Sequence, residues 1–312
     1  MAVDVVVVSF NTCVLLRACL ASIRAANAEC GGVTGIVVDN ASKDDSVSMV
    51  RNEFPETRLI ALDTNIGFGP ANNRGIEAGS APYILLLNAD AELTPGALSA
   101  MCAFLDKRPK CVAIGPKLVY PDGRFHPSCR RFPTVLRNLW NTAGLQDRFR
   151  SRFAGMRNWL REPEHVSGAA VDMVSGACAL VRREYLESLG GFDENMFLYE
   201  EEMDIFLPAR RRSLDVCWCG EATVIHHHGA SSGEHQESAF ALKHQYLSRY
   251  YCFRKQYGPC AARLAYWSDF AVYGLSMTLN RLRGKASTAE LHLGLVRDGY
   301  RSAGEVGKTR KK

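Results

Sequence analysis

The stretch Ile84-Leu85-Leu86-Leu87-Asn88-Ala89-Asp90-Ala91-Glu92 decides the fold. An apolar run of strand length passes directly into a cluster of polar oxygens. A continuous apolar run marks a strand buried on both faces, as in a parallel sheet. Open α/β sheets hold ligands at the carboxyl ends of such strands. Asp90 and Glu92 are two apart and point the same way if the chain stays extended. Hard cations such as Mg²⁺ or Mn²⁺ take oxygen ligands, and a diphosphate needs such a cation to neutralise it. Two readings stand at this point: a metal–diphosphate site, or a buried strand ending in a solvated turn.

Outward from this stretch the same rhythm repeats. Residues 3–10 read as a buried strand, and 15–25 as a helix with Leu16, Cys19, Leu20 and Ile23 on one face. Residues 35–38 form a second predicted strand ending at Asp39-Asn40, followed by a helix over 44–54 and a strand over 58–63. A glycine-rich loop at 65–69 leads into a helix over 71–79; strand 83–87 and helix 95–108 follow. Strands alternating with helices imply parallel pairing in an α/β sheet. The Gly67-Phe68-Gly69 loop is not a dinucleotide fingerprint, because Asn72 stands where the third glycine belongs and the loop follows the third strand.

After Val119 the rhythm breaks. Residues 120–172 are Arg-rich and proline-punctuated, yet rich in Phe, Trp and Leu, which reads as an insertion. Residues 124–161 alone hold nine Arg against one acid, Asp147, which suits either contact with acceptor phosphates or a solvated basic face. A strand is predicted over 173–181 and a short helix over 185–189, closed by Gly190-Gly191. A helix over 201–212 should be kinked or shortened by Pro208, and a last strand spans 216–225. From 239 the pattern is helical and basic.

The chain of 312 residues carries +5 net charge, unevenly placed: residues 236–312 carry +9, leaving −4 on the rest. Such a tail suggests an anionic membrane surface or nucleic acid, but no nucleic-acid module is present and the acidic body repels phosphates. Leu264, Trp267, Ala271, Leu275, Leu279 and Leu282 recur at helical spacing among arginines, the pattern of an interfacial helix or of one packed on the catalytic domain. Eleven cysteines are scattered without metal-ligand spacing, which fits a reducing compartment. Residues 5–8 are too short for a signal core, and no run spans a bilayer, so the expectation is a cytoplasmic protein.

Four polar groups each end an apolar strand: Ser9-Phe10-Asn11, Asp39-Asn40-Ala41-Ser42, Asn88-Ala89-Asp90 and His226-His227-His228. Strand ends on one edge of a parallel sheet line one crevice. Asp39 suits a base or ribose hydrogen bond as well as it suits a helix cap. Residues 192–204 place four carboxylates within five positions, Glu200 to Asp204, beside Phe192, Phe197 and Tyr199. Acids at a helix N-terminus complement its dipole. Acids set against aromatic surface are desolvated, which raises a carboxyl pKa toward that of a general base.

These segments resemble the family 2 glycosyltransferases of the GT-A fold, and within them the bacterial rhamnosyltransferase-like group. The matching pieces are 5–11 (VVVVSFN), 36–44 (IVVDNASKD), 65–75 (NIGFGPANNRG), 85–90 (LLLNAD), 121–123 (PDG), 190–204 (GGFDENMFLYEEEMD) and the H-x-x-G-x-S form of 226–231. The resemblance implies a mostly parallel sheet flanked by helices over 1–235, with 120–172 near the acceptor side and 236–312 as a basic helical extension. It implies that Ser9, Asn11, Asp39, Asn40, Asn65, Gly67, Asn73 and Asn88 serve the nucleotide, and that Asp90 holds a divalent Mg²⁺ or Mn²⁺ with His226 beside it. The catalytic base falls in Glu201-Glu202-Met203-Asp204, at Glu202, where the family usually has Asp; Glu201 and Asp204 are the other candidates. Asn88 stands where the family's metal motif often has its first Asp.

The implied activity is inverting transfer of a sugar from a nucleotide-diphosphate donor, dTDP-L-rhamnose first, to a glycan or polyprenyl-diphosphate-linked acceptor in cell-envelope polysaccharide synthesis. A UDP-hexose, GlcNAc or galactofuranose donor is the alternative. From another class stands a non-catalytic sugar-nucleotide-binding protein, kept open by Glu202. A nucleotidyltransferase would carry a Gly/Arg-rich phosphate loop after its first strand, and Ser9-Phe10-Asn11-Thr12 is not one.

Overall fold

The computed structural model describes residues 2–145, 154–227, 239–283 and 288–306. Outside them lie His228 to Ser231 of the H-x-x-G-x-S segment, Arg148, Arg150 and Arg152, and the basic end from residue 307. The chain divides into two compact units. The first comprises Met1–Arg130, Trp159–Glu194 and Ile205–His235; the second comprises Arg131–Asn158, Asn195–Asp204 and Gln236–Lys312.

The first unit is built on strands β1 (Val3–Ser9), β2 (Val33–Asp39), β3 (Arg58–Ala61), β4 (Tyr83–Asn88), β5 (Ala91–Leu93), β6 (Cys111–Val119), β7 (Phe125–His126), β8 (Cys129–Arg130), β9 (Met173–Val174), β10 (Cys178–Arg182) and β11 (Asp215–His226). Nine of them form one sheet in the order β3-β2-β1-β4-β10-β6-β11-β5, with β7 beside β6; β8 and β9 pair separately. Pairing is parallel from β3 through β4 and between β6 and β11, and β10 runs antiparallel between β4 and β6.

β-Branched residues fit a strand buried on both faces, and Val5, Val6 and Val7 are fully buried. Helix α1 (Cys13–Cys30) buries Leu16, Cys19, Leu20, Ile23 and Ala26 in the core that also holds Leu85 and Leu87. Helices α2 (Ser46–Glu53), α3 (Phe68–Ala78) and α4 (Ala97–Asp106) complete the alternation. At Gly75 in α3 a Cβ would fall 2.4 Å from Val6 Cγ1, so the helix approaches β1 as closely as only glycine allows. Near the start of β1 Asp4 pairs with Arg183 at 2.7 Å, both largely buried. Helix α5 (Val135–Thr142) belongs to the second unit, and helix α6 (Arg183–Leu189) follows β10.

Three expectations change. The run 173–181 is not one strand: Cys178 N donates to Ser175 O, and this turn sends β9 to β8 and β10 into the main sheet. The run 111–119 is a strand that periodicity left unassigned. Helix α7 (Glu201–Arg211) continues through Pro208. Ile205, Phe206, Leu207 and Ala209 are buried around the proline, and that burial outweighs a cost of about 3 kcal/mol.

The second unit packs α5 with α8 (Ala239–Tyr257), α9 (Pro259–Leu282) and α10 (Ala289–Glu305). Its core includes Tyr246, Tyr250, Phe253, Ala262, Ala265, Val296 and Ala303. Asp269 on α9 is fully buried and accepts from Asn138 Nδ2 (2.7 Å), Thr142 Oγ1 (2.8 Å) and Tyr250 OH (2.7 Å), with Arg249 at 3.5 Å. One carboxylate thereby ties α5, α8 and α9 together. Among the described residues no helix is long and apolar enough to cross a membrane.

Candidate active site

β1, β2 and β4 end together: Ser9 lies opposite Asp39, and Val8 opposite Asn88. Since β10 opposes both β4 and β6, and β11 follows β6, the C-terminal end of β11 at His226 reaches the same edge. Topology thus brings Ser9, Asp39, Asn88 and His226 to one side of the first unit.

On the β1–β2 side the backbone is tightly folded. Asn11 (φ 55°) and Ala41 (φ 68°) sit in the left-handed region directly after their strands, where a non-glycine residue is strained. Asn11 Oδ1 accepts from Lys43 N (2.7 Å), Ser42 Oγ accepts from Asn11 N (2.8 Å), and the Ser9 and Thr12 hydroxyls share a bond of 2.9 Å. Asp39 is buried; its Oδ1 accepts from Ser42 N (2.9 Å), whereas its Oδ2 has no hydrogen-bond partner among the described residues. A buried bare carboxylate oxygen costs several kcal/mol unless something donates to it, about 1–3 by mutational measures. Asp39 therefore leaves a carboxylate acceptor over on this side.

Of the asparagines assigned to the nucleotide, Asn40, Asn65 and Asn73 turn their side chains to backbone groups of the protein. Asn40 Oδ1 accepts from Ile66 N (2.9 Å) and its Nδ2 donates to Gly67 O (3.1 Å); Asn65 Oδ1 accepts from Gly67 N (3.0 Å). These bonds fix Gly67 at φ +95° and so shape the glycine loop. Asn73 holds both backbone groups of Phe192, accepting from its N (2.8 Å) and donating to its O (2.9 Å). Gly191 is required there, since its Cβ would fall 2.6 Å from Asn73 Oδ1. Asn40 and Asn65 thus position the loop with their side chains, and Asn73 positions Phe192.

Asp90 is buried in the turn between β4 and β5, where β5 folds back antiparallel onto β11. His227 N donates to Asp90 O (2.9 Å), and Asp90 Oδ1 lies 3.3 Å from His226 Nε2. The chain does not stay extended past Asp90, so Glu92 does not join it; Glu92 Oε1 instead meets His227 Nε2 at 2.7 Å. Adjacent strand residues face opposite ways, which sends His226 to Asp90 and His227 to Glu92. Behind His226 stands a histidine that the sequence reading passed over. His126 on β7 is buried, its Nδ1 lies 3.3 Å from His226 Nδ1, and the rings stack at 5.1 Å. Its signal was the Pro121-Asp122-Gly123 turn after an apolar run, with Gly123 at φ +83°, which makes 125–126 the return strand of a hairpin.

Among the described residues no group of three or more His, Cys, Asp or Glu is placed to hold a metal. A carboxylate and an imidazole, both buried and 3.3 Å apart, nonetheless form a donor pair suited to an ion that takes its other ligands from a diphosphate and water.

The acidic turn belongs to the second unit. Tyr199 (φ 72°) and Glu200 (φ 68°) are consecutive left-handed residues before α7, a strained entry of about 1–3 kcal/mol per residue. Its three candidate bases differ sharply. Asp204 is bound by Lys255 Nζ and Gln256 Nε2, each at 2.8 Å. Glu201 is buried with a bare Oε1; burial first, then the Glu202 and Glu200 charges, raises its pKa to about 8. Glu202 alone is partly exposed.

The model of glycosyl transferase family 2 matches residues 4–190. A Mycobacterium tuberculosis N-acetylglucosaminyl-diphospho-decaprenol L-rhamnosyltransferase is 30% identical over 237 residues, covering 68% of this chain and 72% of that protein. A mannosyltransferase from Pyrobaculum calidifontis, solved with GDP-Man and Mn²⁺, superposes with a TM-score of 0.54 at 16% identity, over 99% of this chain and 88% of that one. TarS from S. aureus (residues 1–349) follows with a TM-score of 0.50 at 16% identity, over 100% and 92% of the two chains. The α/β architecture with C-terminal helices is thus of the GT-A type.

Proposed function

The chain belongs to glycosyl transferase family 2, and on that premise we propose that it moves L-rhamnose from dTDP-L-rhamnose to a polyprenyl-diphosphate-linked glycan, with inversion, in cell-envelope polysaccharide synthesis. It is a glycosyltransferase by family; the donor and acceptor are carried by likeness to the mycobacterial rhamnosyltransferase, whose own acceptor is a GlcNAc-diphospho-decaprenol. A cytoplasmic placement against the inner face of the membrane suits such an acceptor.

One observation carries the donor side: Asp90 and His226, buried and 3.3 Å apart, share a sheet edge with the bare Oδ2 of Asp39. In the proposed roles Asp39 Oδ2 accepts a hydrogen bond from the nucleoside. Asn40 and Asn65 hold the Gly67 loop in the shape the nucleoside meets. Asp90 and His226 bind a divalent cation, Mn²⁺ or Mg²⁺, which when present neutralises the leaving diphosphate. Glu202 removes the proton of the attacking acceptor hydroxyl. Its partial exposure supports that role over the tied Asp204 and the buried Glu201.

The test is calorimetric titration of dTDP with and without Mn²⁺. Wild type gains affinity with Mn²⁺, and Asp90→Ala does not. An equal gain in both proteins removes Asp90 as the metal ligand. A thermal-shift panel of dTDP- and UDP-sugars reads the donor directly, and stabilisation by a UDP-sugar alone overturns the dTDP assignment.

A further inference from the structure

We infer that α9 lies in the interface of an anionic membrane, along one defined face. Leu264, Trp267, Leu275, Leu279 and Leu282 on this helix are all exposed, from 40% for Leu279 to 80% for Leu282. At about 100° per residue they fall, with Ala271, within an arc of about 120°. The buried residues Ala262, Ala265 and Asp269 fall on the opposite side, where the helix meets the core of its own unit. The apolar stripe is therefore a second face, additional to the one that packs. From Leu264 to Leu282 it runs about 27 Å at the helical rise of 1.5 Å per residue.

The chemistry of that face points to lipid. The charged residues of α9 are Arg263, Asp269 and Arg281, and none lies inside the arc. Arg263 and Arg281 both fall on one edge of it, about five turns apart, where long basic side chains reach phosphates while their stems cover apolar surface. Asp269, the helix's one acid, is fully buried, so this helix presents positive charge only. The hydroxyls within the arc donate inside the helix, Thr278 Oγ1 to Gly274 O (2.9 Å) and Ser268 Oγ to Ala265 O (2.7 Å), and Ser268 Oγ also accepts from Asn138 Nδ2 of α5 (3.5 Å). A large tryptophan in an apolar stripe with flanking arginines is the composition of an interfacial helix. The +9 charge of residues 236–312 supplies the long-range attraction to an anionic leaflet. Since no described helix is long and apolar enough to cross, the helix lies along the surface.

This inference rests on α9 and the basic charge of residues 236–312 and uses neither the donor nor the base assignment, so its failure leaves the proposed reaction standing. The test is co-sedimentation of the full chain with vesicles of phosphatidylcholine, with and without phosphatidylglycerol, at low salt. Binding is expected to the mixed vesicles, with a blue shift of emission that Trp267→Phe removes. Leu275→Glu with Leu279→Glu, both on exposed positions, should cut binding tenfold or more with unchanged thermal unfolding. Arg263→Gln with Arg281→Gln should weaken it about twentyfold, since each basic residue at an anionic surface is worth about fivefold. Binding that is absent from mixed vesicles, or unchanged in the Leu275→Glu/Leu279→Glu protein, overturns the inference. So does a dimer in sedimentation velocity that the same pair of substitutions dissolves, which would make a second copy the occupant.

Discussion

Replacing Glu202 by Gln tests the proposed chemistry most directly, because the three acids of this turn make distinct predictions. Glutamine keeps the shape and most hydrogen-bonding capacity of the side chain and removes its basicity. A positioned general base contributes about 10²–10⁴ to rate, or about 3–5 kcal/mol of barrier at 1.36 kcal/mol per tenfold. Glu201 is buried away from an incoming acceptor, and Asp204 is engaged by Lys255 and Gln256, so neither neighbour is placed to take over the proton. The full loss is therefore expected, in kcat, with donor KM changed less than twofold. Asp204→Asn should behave differently. It weakens an ion pair to a Lys255 side chain that is 38% exposed, which costs stability and leaves kcat within about tenfold. The assay is nucleoside-diphosphate release from dTDP-L-rhamnose with a polyprenyl-diphosphoryl-GlcNAc acceptor, run alongside dTDP titration. A Glu202→Gln enzyme within threefold of wild-type kcat refutes the assignment, and a larger kcat loss in Asp204→Asn transfers it there.

Two further outcomes follow from buried carboxylates. Asp269→Ala removes the acceptor shared by Asn138, Thr142, Tyr250 and Arg249, and stranding buried partners in this way costs about 3–5 kcal/mol. Calorimetric unfolding should show a large fall in the transition temperature, and a shift too small to measure would mean the network is not load-sharing across the three helices. Glu201 affects the pH dependence of stability. Its folded pKa lies above the ordinary 4.5, so the folded state holds the proton more tightly and stability falls as pH rises from about 4.5 through about 8. Glu201→Gln should flatten that decline, as read by denaturant midpoints at pH 5 and 8; an unchanged slope would place the titration elsewhere.

Much of the first unit was legible in the chain. Val5 to Val8, Val37, Val38 and Leu85 to Leu87 are apolar without interruption, and only a strand covered on both faces uses such a run. The polar residues that end those strands fall at one edge because parallel strands share a direction, so Ser9, Asp39, Asn88 and His226 were foreseeable as a group. Short strands were not. β5, β7, β8 and β9 have two or three residues each, too few to show a period, and β10 entered the sheet antiparallel through a turn at Ser175 that no spacing announced.

The sequence by itself determined the alternating frame, the identity of the polar strand ends and the apolar stripe of α9, because each is a periodicity along the chain. Only the tertiary structure decided how those polar groups are spent. Asn40, Asn65 and Asn73 turn inward to backbone, Asp39 keeps one oxygen bare, Asp204 goes to Lys255, and His126 arrives behind His226 from 100 residues away. Residue type sets what a side chain is able to bond; which partner it meets depends on contacts between segments remote in sequence, and no local pattern encodes those.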